Sequence, residues 1–238
     1  MTDPAPIWSY LSREPLLWLT ATLVAYTIAD AVSRATGRAP LANPVLIAVV
    51  LLALLLGATG TPYATYFEGA QFVHFMLGPA TVALAAPLHG NLARVRRSAL
   101  PMLAALMVGS VTAVASALAI AAALGVPAPV LASLAPKSTT APVAIGIAEA
   151  LGGQPTLTAV LVLLTGIVGA VVATPLLNLL RIGDWRARGF AVGVAAHGIG
   201  TARAFQVHET AGAFAGIGMG LNAVLTALIA PWVLGWFG

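Results

Sequence analysis

The sequence carries a single lysine, which stands in a long apolar stretch beside three hydroxyl side chains. Residues 136–142 read Pro-Lys-Ser-Thr-Thr-Ala-Pro, and no charged residue lies between Arg97 and Lys137 or between Lys137 and Glu149. A lysine at the centre of a membrane helix costs roughly 2.5–3.5 kcal/mol on insertion scales. A chain that keeps a lysine in this position is expected to use it.

Two prolines explain how the backbone could accommodate this cluster. Pro136 cannot donate a hydrogen bond to Ala132, and Pro142 cannot donate one to Ser138. The helix is therefore expected to break between the prolines. At membrane depth, broken backbone is tolerated only where protein or a water-filled cavity surrounds it. Broken helices of this kind commonly form the binding sites of transporters.

The chemistry that suits this cluster is the binding of a small carboxylate. Half-helix N-termini present free N–H groups and the positive end of a helix dipole. The hydroxyls of Ser138, Thr139 and Thr140 add hydrogen-bond donors, and Lys137 adds a positive charge. The alternative is a lysine that lies at a helix end and extends to the membrane surface without a ligand.

A second group of polar residues follows in the stretch His-Gly-Ile-Gly-Thr-Ala-Arg. Gly198 and Gly200 allow the backbone to turn or to approach a neighbour closely. Thr201 lies one helical turn beyond His197, and Arg203 could donate two hydrogen bonds to a carboxylate. His197 could also carry a coupling proton. The alternative is an interfacial Arg203 and a packed, hydrogen-bonded His197.

Enzymatic and nucleic-acid functions fit the sequence poorly. Lys137 and Ser138 are adjacent, so on a helix they point about 100° apart, which is unfavourable for a serine–lysine dyad. No two histidines have metal-ligand spacing, and cysteine is absent. Ten of the eleven basic residues are arginines that cluster at loop ends, as topology signals do. We expect no catalytic residue, metal, cofactor or nucleic-acid partner.

The composition places the chain in a lipid bilayer. Of 238 residues, 60% are hydrophobic and 8% are charged, with a mean hydropathy of +0.97, whereas soluble domains have about 25% charged residues. We predict an all-α polytopic membrane protein, one domain over residues 1–238, with about seven spanning helices. Segments 129–153 and 189–210 are expected to be broken or re-entrant and to form the candidate site.

The distribution of arginine predicts how segment 129–153 crosses the membrane. The loops 94–97 and 181–188 should both face the cytoplasm, so an even number of crossings must separate them. Residues 99–125 and 156–180 already supply two crossings. The intervening segment must then enter and return on the same face, and about 25 residues suffice for two half-helices with a break.

Two further patterns concern packing. Short matches relate residues 44–98 to 129–188, since Pro-Val-Leu opens both and a glycine precedes a proline by nine residues at Gly78–Pro87 and Gly166–Pro175. Transporters often contain such repeats, parallel or inverted, and the sequence leaves the orientation open.

In the last predicted span, Gly212, Gly216 and Gly220 form a stripe expected to allow close helix contact.

The chain resembles the LrgB/CidB family over nearly its whole length from about residue 43. The matching motifs are Leu134-Ala-Pro-Lys-Ser-Thr-Thr-Ala-Pro142, Gly146-Ile-Ala-Glu-Ala-Leu-Gly-Gly153, Arg188-Gly189, Ala196-His-Gly-Ile-Gly-Thr-Ala-Arg203 and Ala211-Gly-Ala-Phe214. Family members commonly have serine where this chain has Ala196, a departure that leaves His197 in place.

The resemblance implies two functions. Family members were named as antiholin-like regulators of murein hydrolase activity and cell lysis. A plant relative, the plastidal glycolate/glycerate translocator, and bacterial members paired with a small LrgA/CidA-type membrane protein are linked to the movement of small organic acids. We accordingly expect a multi-pass protein of the bacterial cytoplasmic (inner) membrane, a homo-oligomer, with an LrgA/CidA-like protein as a partner.

The residues and the resemblance together favour a secondary carrier, or its transport subunit, for monocarboxylates such as glycolate, glycerate, lactate or pyruvate. Lys137 and Arg203 would hold the carboxylate, His197 would orient the substrate or accept a proton, and Thr201 would lie beside it. Ser138, Thr139 and Thr140 would complete the site. The alternative is an antiholin-like regulator that acts through membrane partners.

Overall fold

The computed structural model describes residues 14–76, 79 and 96–237, and this part of the chain is helical without strands. Its helices are α1 (Pro15–Ala35), α2 (Pro44–Thr59), α3 (Tyr63–Phe75), α4 (Ala99–Ala123), α5 (Ala128–Leu134), α6 (Ala141–Ala150), α7 (Pro155–Leu179), α8 (Trp185–Val207) and α9 (Glu209–Leu234). The sequence patterns at Gly78, Pro87 and Arg94 lie outside the described residues.

Four of the described helices, α1, α4, α7 and α9, are long and apolar enough to cross a membrane. Helices α2 and α6 are apolar but shorter. The prediction of an all-α membrane protein is confirmed, whereas the described ranges do not supply the expected seven spans. Helix α8 has a suitable length but is broken in the middle, and α5 and α6 are two short pieces of one broken segment.

The chain divides into two compact units, Met1–Ala80 and Thr81–Gly238. In the first unit, Asn43 caps α2 by accepting hydrogen bonds from the N–H groups of Val45 and Leu46 at 2.9 and 3.2 Å. Trp18 of α1 is buried and meets the edge of the Tyr66 ring of α3, with ring centroids 6.0 Å apart. The described part of this unit is therefore a packed three-helix element.

In the second unit, α5, residues 135–140 and α6 form a re-entrant hairpin, which we call hairpin 1. Ala128 at its beginning and Gly152 just after its end line the same pocket, together with Leu234 of α9. Both ends of the segment therefore lie at the same end of the unit. The two arms have 7 and 10 residues, about 10 and 15 Å of helix, which is half a membrane rather than a full crossing.

Helix α8 is also folded back on itself, and we call it hairpin 2. The helical backbone is interrupted at Ala196 (φ −130°, ψ 16°) and His197 (φ 40°, ψ −136°). The rings of Trp185 and His208, at the two ends of the hairpin, stack with centroids 4.7 Å apart and planes at 7°. Because the first and last residues touch, the chain returns to the end at which it entered.

The two hairpins enter from opposite ends of the second unit. The first halves of α4 and α9 pack with the first arm of hairpin 2 through Met102, Phe190 and Phe214. Their second halves pack with hairpin 1 in a separate cluster that includes Leu118 and Leu131. The tips of the hairpins consequently meet halfway along the unit. In this unit, α4 followed by hairpin 1 and α7 followed by hairpin 2 therefore run in opposite directions. These are not the segments that the sequence matches relate, so the orientation of that repeat stays open.

Glycines allow hairpin 2 to lie directly against α9. A Cβ atom at Gly189 would overlap the backbone of Ala211, and one at Gly193 would overlap the carbonyl of Ala215. In the glycine stripe expected in α9, not every glycine has a close neighbour. Gly212 faces the Phe205 ring, but Gly220 has nothing within 4 Å. The close backbone contacts with α9 are thus made by Gly189 and Gly193 of α8, for which the sequence analysis predicted no packing role.

These contacts predict that Gly193→Ala lowers the thermal stability of the purified protein, since a methyl group would push hairpin 2 away from α9. Gly220→Ala is the matched control, because the same methyl group meets open space and helix propensity favours alanine by about 0.5–1 kcal/mol. Melting curves of both variants in detergent test this. Equal melting temperatures would contradict the close contact.

The fold also predicts which residues lie at the same membrane face. Single introduced cysteines can test this, because the chain contains no cysteine of its own. Arg97 and Gly183 line one open pocket at the end of the unit where hairpin 2 begins, whereas Gln154 lies beside Ser133 near the base of hairpin 1. Ser98→Cys and Gly183→Cys should react with an impermeant thiol reagent from one membrane face, and Gln154→Cys from the other. Labelling of Ser98→Cys and Gly183→Cys from opposite faces would refute the arrangement.

Candidate functional site

The tip of hairpin 1 is a tight turn in which one side chain closes the loop. The N–H and the hydroxyl of Thr139 both donate to the Pro136 carbonyl, at 2.9 and 3.0 Å. Lys137 is half-buried, and its Nζ donates to Ser138 Oγ at 3.3 Å. Ser138, Thr139 and Thr140 are buried. The predicted cluster is therefore held inside the protein rather than extended to a membrane surface.

The break leaves carbonyl groups that other helices must satisfy. Pro142 has no N–H to offer Ser138, and Asn222 Nδ2 of α9 donates to that carbonyl at 3.0 Å instead. Further down the hairpin, Thr158 Oγ1 of α7 donates to the Ser133 carbonyl at 3.2 Å. A buried carbonyl without a donor is costly, so these two contacts are what makes the broken segment tolerable.

Asn222 was missed by the sequence analysis, although a signal for it exists. It is an amide in an otherwise apolar span, and polar residues inside spans usually face the protein interior and act there. Its side chain is 1% exposed. Ser110 Oγ of α4 and Thr226 Oγ1 donate to Asn222 Oδ1 at 2.6 and 3.3 Å, so both ends of the amide are bonded.

The tip of hairpin 2 is formed by His197. Its Nε2 lies 2.9 Å from the Val162 carbonyl of α7. A carbonyl only accepts, so Nε2 carries the hydrogen and Nδ1 is the nitrogen that can exchange a proton. The Thr201 hydroxyl donates to the His197 carbonyl at 2.8 Å, one helical turn earlier. The role of Thr201 beside a substrate stays a prediction.

Two glycines of α7 form the seat for this tip. A Cβ atom at Gly166 would lie 2.6 Å from His197 Cε1, and one at Gly169 would overlap the Ala196 methyl group. His197 itself has φ 40°, a backbone conformation that favours glycine. Non-glycine residues in such regions cost of order 1–3 kcal/mol and cluster at functional sites. A histidine occupies this position, although Gly198 and Gly200 follow it closely in the chain. This points to a role for the imidazole.

The structure brings the two predicted clusters together at the hairpin tips, but not with all of their residues. The Lys137 ammonium is close enough to His197 to act on the imidazole electrostatically. Arg203 is buried further along hairpin 2, six residues beyond the tip, and lines a pocket with Trp185 and Arg188 at the hairpin base. The joint binding of one carboxylate by Lys137 and Arg203 stays a prediction.

The described residues include no group of three or more histidine, aspartate or glutamate side chains that could hold a metal ion. The chemistry available at the tips is therefore that of one ammonium, one imidazole, several hydroxyls and freed backbone groups. Such a set binds and orients a small anion and can exchange a proton.

The fold defines a membrane protein with transmembrane helices and two opposed re-entrant hairpins. The sequence profile described as the LrgB-like family matches residues 22–236. The chain belongs to this family, as its motifs indicated.

Curated relatives from two bacteria cover most of the chain. The holin-like protein CidB of Staphylococcus aureus is 30% identical over 92% of this chain and 95% of its own length. Two uncharacterized proteins of Bacillus subtilis, YwbG and YxaC, are 34% and 36% identical over 81% and 82% of this chain, and each is covered to 85%. No solved structure matches the chain.

The backbone at the tip of hairpin 2 makes a direct prediction. His197→Ala and His197→Gly both remove the hydrogen bond to the Val162 carbonyl, but only glycine adopts φ 40° without strain. We expect the glycine variant to be the more stable of the two, by about 1 kcal/mol or more, in thermal unfolding of the purified protein. An alanine variant of equal or higher stability would show that the tip is not strained.

Proposed function

We propose that the chain is a secondary carrier for small monocarboxylates in the bacterial cytoplasmic membrane. The observation that carries the proposal is the half-buried Lys137 at the tip of one re-entrant hairpin. The tip of the other hairpin is close by, because Met219 and Asn222, one turn apart on α9, contact Thr201 and Ser138. A protein that served only as a membrane scaffold would gain little from a lysine held at this depth.

In this proposal the substrate carboxylate binds to the Lys137 ammonium. Freed N–H groups and the hydroxyl of Ser138 at the same tip supply further donors, in the way that broken helices of carriers bind anionic substrates. His197 Nδ1 accepts a hydrogen bond from the substrate hydroxyl, or takes up a proton that moves with it. Arg203 lies towards the base of hairpin 2, and its contact with the same carboxylate is a separate prediction.

A cleft of about 570 Å³ in the second unit offers a route to the tips. It runs between α4 and the first arm of hairpin 2, from Arg97 to Ala195, one residue before the break. Arg97 is the cation at its mouth that carries this argument, because Arg186 is paired with Asp184 there. Cations at the mouth of a cleft attract anions and raise their local concentration. The loop at that end is therefore proposed as the side from which a carboxylate reaches the tip of hairpin 2.

Uptake into proteoliposomes tests the proposal. The purified protein should accumulate at least one of labelled glycolate, glycerate, lactate and pyruvate, and Lys137→Ala should remove most of this uptake. Lys137→Arg should also fail, because a planar guanidinium does not replace a compact ammonium. Arg186→Gln is the matched control, since it removes a cation that is paired with Asp184 at 2.6 Å outside the tips. Normal uptake by Lys137→Ala would refute the site.

A second candidate function follows from the holin-like name of the CidB relatives. In this alternative the chain acts in the control of murein hydrolase activity and cell lysis, together with membrane partners such as an LrgA/CidA-like protein. The two candidates differ in what crosses the membrane. A carrier leaves vesicles tight to a neutral dye, whereas a holin-like pore releases the dye whether or not Lys137 is present.

A further inference from the structure

The buried side-chain amide of Asn222 in α9 contacts the tip of hairpin 1, which carries Lys137. Asn222 lies 13 residues after Glu209, halfway along a helix that runs from the base of hairpin 2 to the base of hairpin 1. Its Nδ2 reaches the carbonyl of Ser138, the residue next to Lys137. Since Pro142 cannot supply a donor there, this contact replaces the hydrogen bond that an unbroken helix would have made.

The orientation of this amide is fixed from the other side. Ser110 Oγ donates to Asn222 Oδ1 at 2.6 Å, a short bond that joins α4 to α9. An oxygen that accepts from two hydroxyls leaves only Nδ2 to face the Ser138 carbonyl. The amide cannot rotate without losing bonds at both ends, and burying a polar group without partners is costly.

The same serine connects the amide to the lysine. Ser138 accepts from Asn222 through its carbonyl and from Lys137 Nζ through its hydroxyl. A chain of hydrogen bonds therefore runs from Ser110 on α4, through Asn222 on α9, to the ammonium at the tip of hairpin 1. Long lysine side chains otherwise take up many rotamers, and ordering them costs conformational entropy.

We propose that Asn222 is a positioning residue, which holds the tip of hairpin 1 so that the Lys137 ammonium is fixed where a carboxylate binds. This proposal rests on the function proposed above for the same site. Asn222 acts through Ser138 and does not touch the substrate. Ser110 acts one step further away, because it sets the orientation of the amide.

The single lysine provides a direct readout of this role. Protein produced with 15Nζ- and 13Cε-labelled lysine gives the signal of Lys137 alone, because the sequence contains no other lysine. Asn222→Ala should shift or broaden this signal in the absence of substrate. In proteoliposomes it should raise KM for the transported acid about tenfold, the effect of losing one buried hydrogen bond, with a smaller change in maximal rate.

A matched control separates positioning from stability. Thr158 is fully buried, and its hydroxyl is shared between the Gln154 carbonyl of its own helix and the carbonyl of Ser133, five residues before Ser138. Thr158→Val should lower the melting temperature but leave the Lys137 signal and KM unchanged. Should Asn222→Ala fail to fold, Ser110→Ala gives the same test, since it keeps the amide and removes its strongest bond. We expect Ser110→Ala to shift the lysine signal less than Asn222→Ala does.

The outcomes are decisive and separate the two proposals. A folded Asn222→Ala or Ser110→Ala variant with an unchanged lysine signal overturns the positioning role, whatever the transport assay gives. A shift that Thr158→Val reproduces also overturns it, because the effect is then one of general packing. If the wild-type protein transports none of the acids while Asn222→Ala still shifts the lysine signal, the carrier function fails and the control of Lys137 by Asn222 stands.

Discussion

The arrangement of the second unit depends on one constraint, the need of freed backbone groups for partners at membrane depth. Each hairpin breaks its helix, and hydrocarbon supplies no water to replace the lost hydrogen bonds. The Ser138 carbonyl, which Pro142 cannot serve, takes its donor from Asn222. The tips can lie where they do only because α4, α7 and α9 surround them with hydroxyls, an amide and small residues.

This constraint also explains why polar chemistry is found at the tips. Once the backbone has left the helix, side chains such as Lys137 and His197 can face each other across the centre of the unit. The surrounding helices then serve two purposes. Gly166 makes room for the imidazole, and the Val162 carbonyl orients it. The surrounding helices hold such a site in place, and only a few residues of the sequence are needed to specify it.

The sequence predicted the broken segments because proline and charge are visible without a structure. The pair Pro136 and Pro142, the isolated Lys137 and the arginine loops led to hairpin 1. The exact break in hairpin 2 was not predictable in the same way, because it falls on Ala196 and His197 and not on the adjacent glycines. The seat on α7 that imposes this conformation is a tertiary contact, which no local pattern reveals.

Partners across helices were equally hidden. Asn222 is separated from Ser138 by 84 residues, and only the fold shows that its amide replaces the missing N–H of Pro142. The sequence grouped Arg203 with His197 because they share a motif. After the chain reverses at His197, however, Arg203 lies towards the base of hairpin 2, with Trp185. Six residues of continuous helix separate Arg203 from His197, about 9 Å along the second arm, so the shared motif does not place both side chains at the tip.

The central claim is that a carboxylate binds to Lys137 between the hairpin tips. The most direct measurement is a solid-state NMR distance between the 15Nζ of the single lysine and the 13C-labelled carboxyl carbon of a bound acid such as glycolate, in reconstituted membranes. A charge-assisted hydrogen bond of about 2.8 Å between nitrogen and oxygen predicts strong dipolar dephasing of the lysine signal. Bound acid that leaves the lysine signal without dephasing would contradict the account.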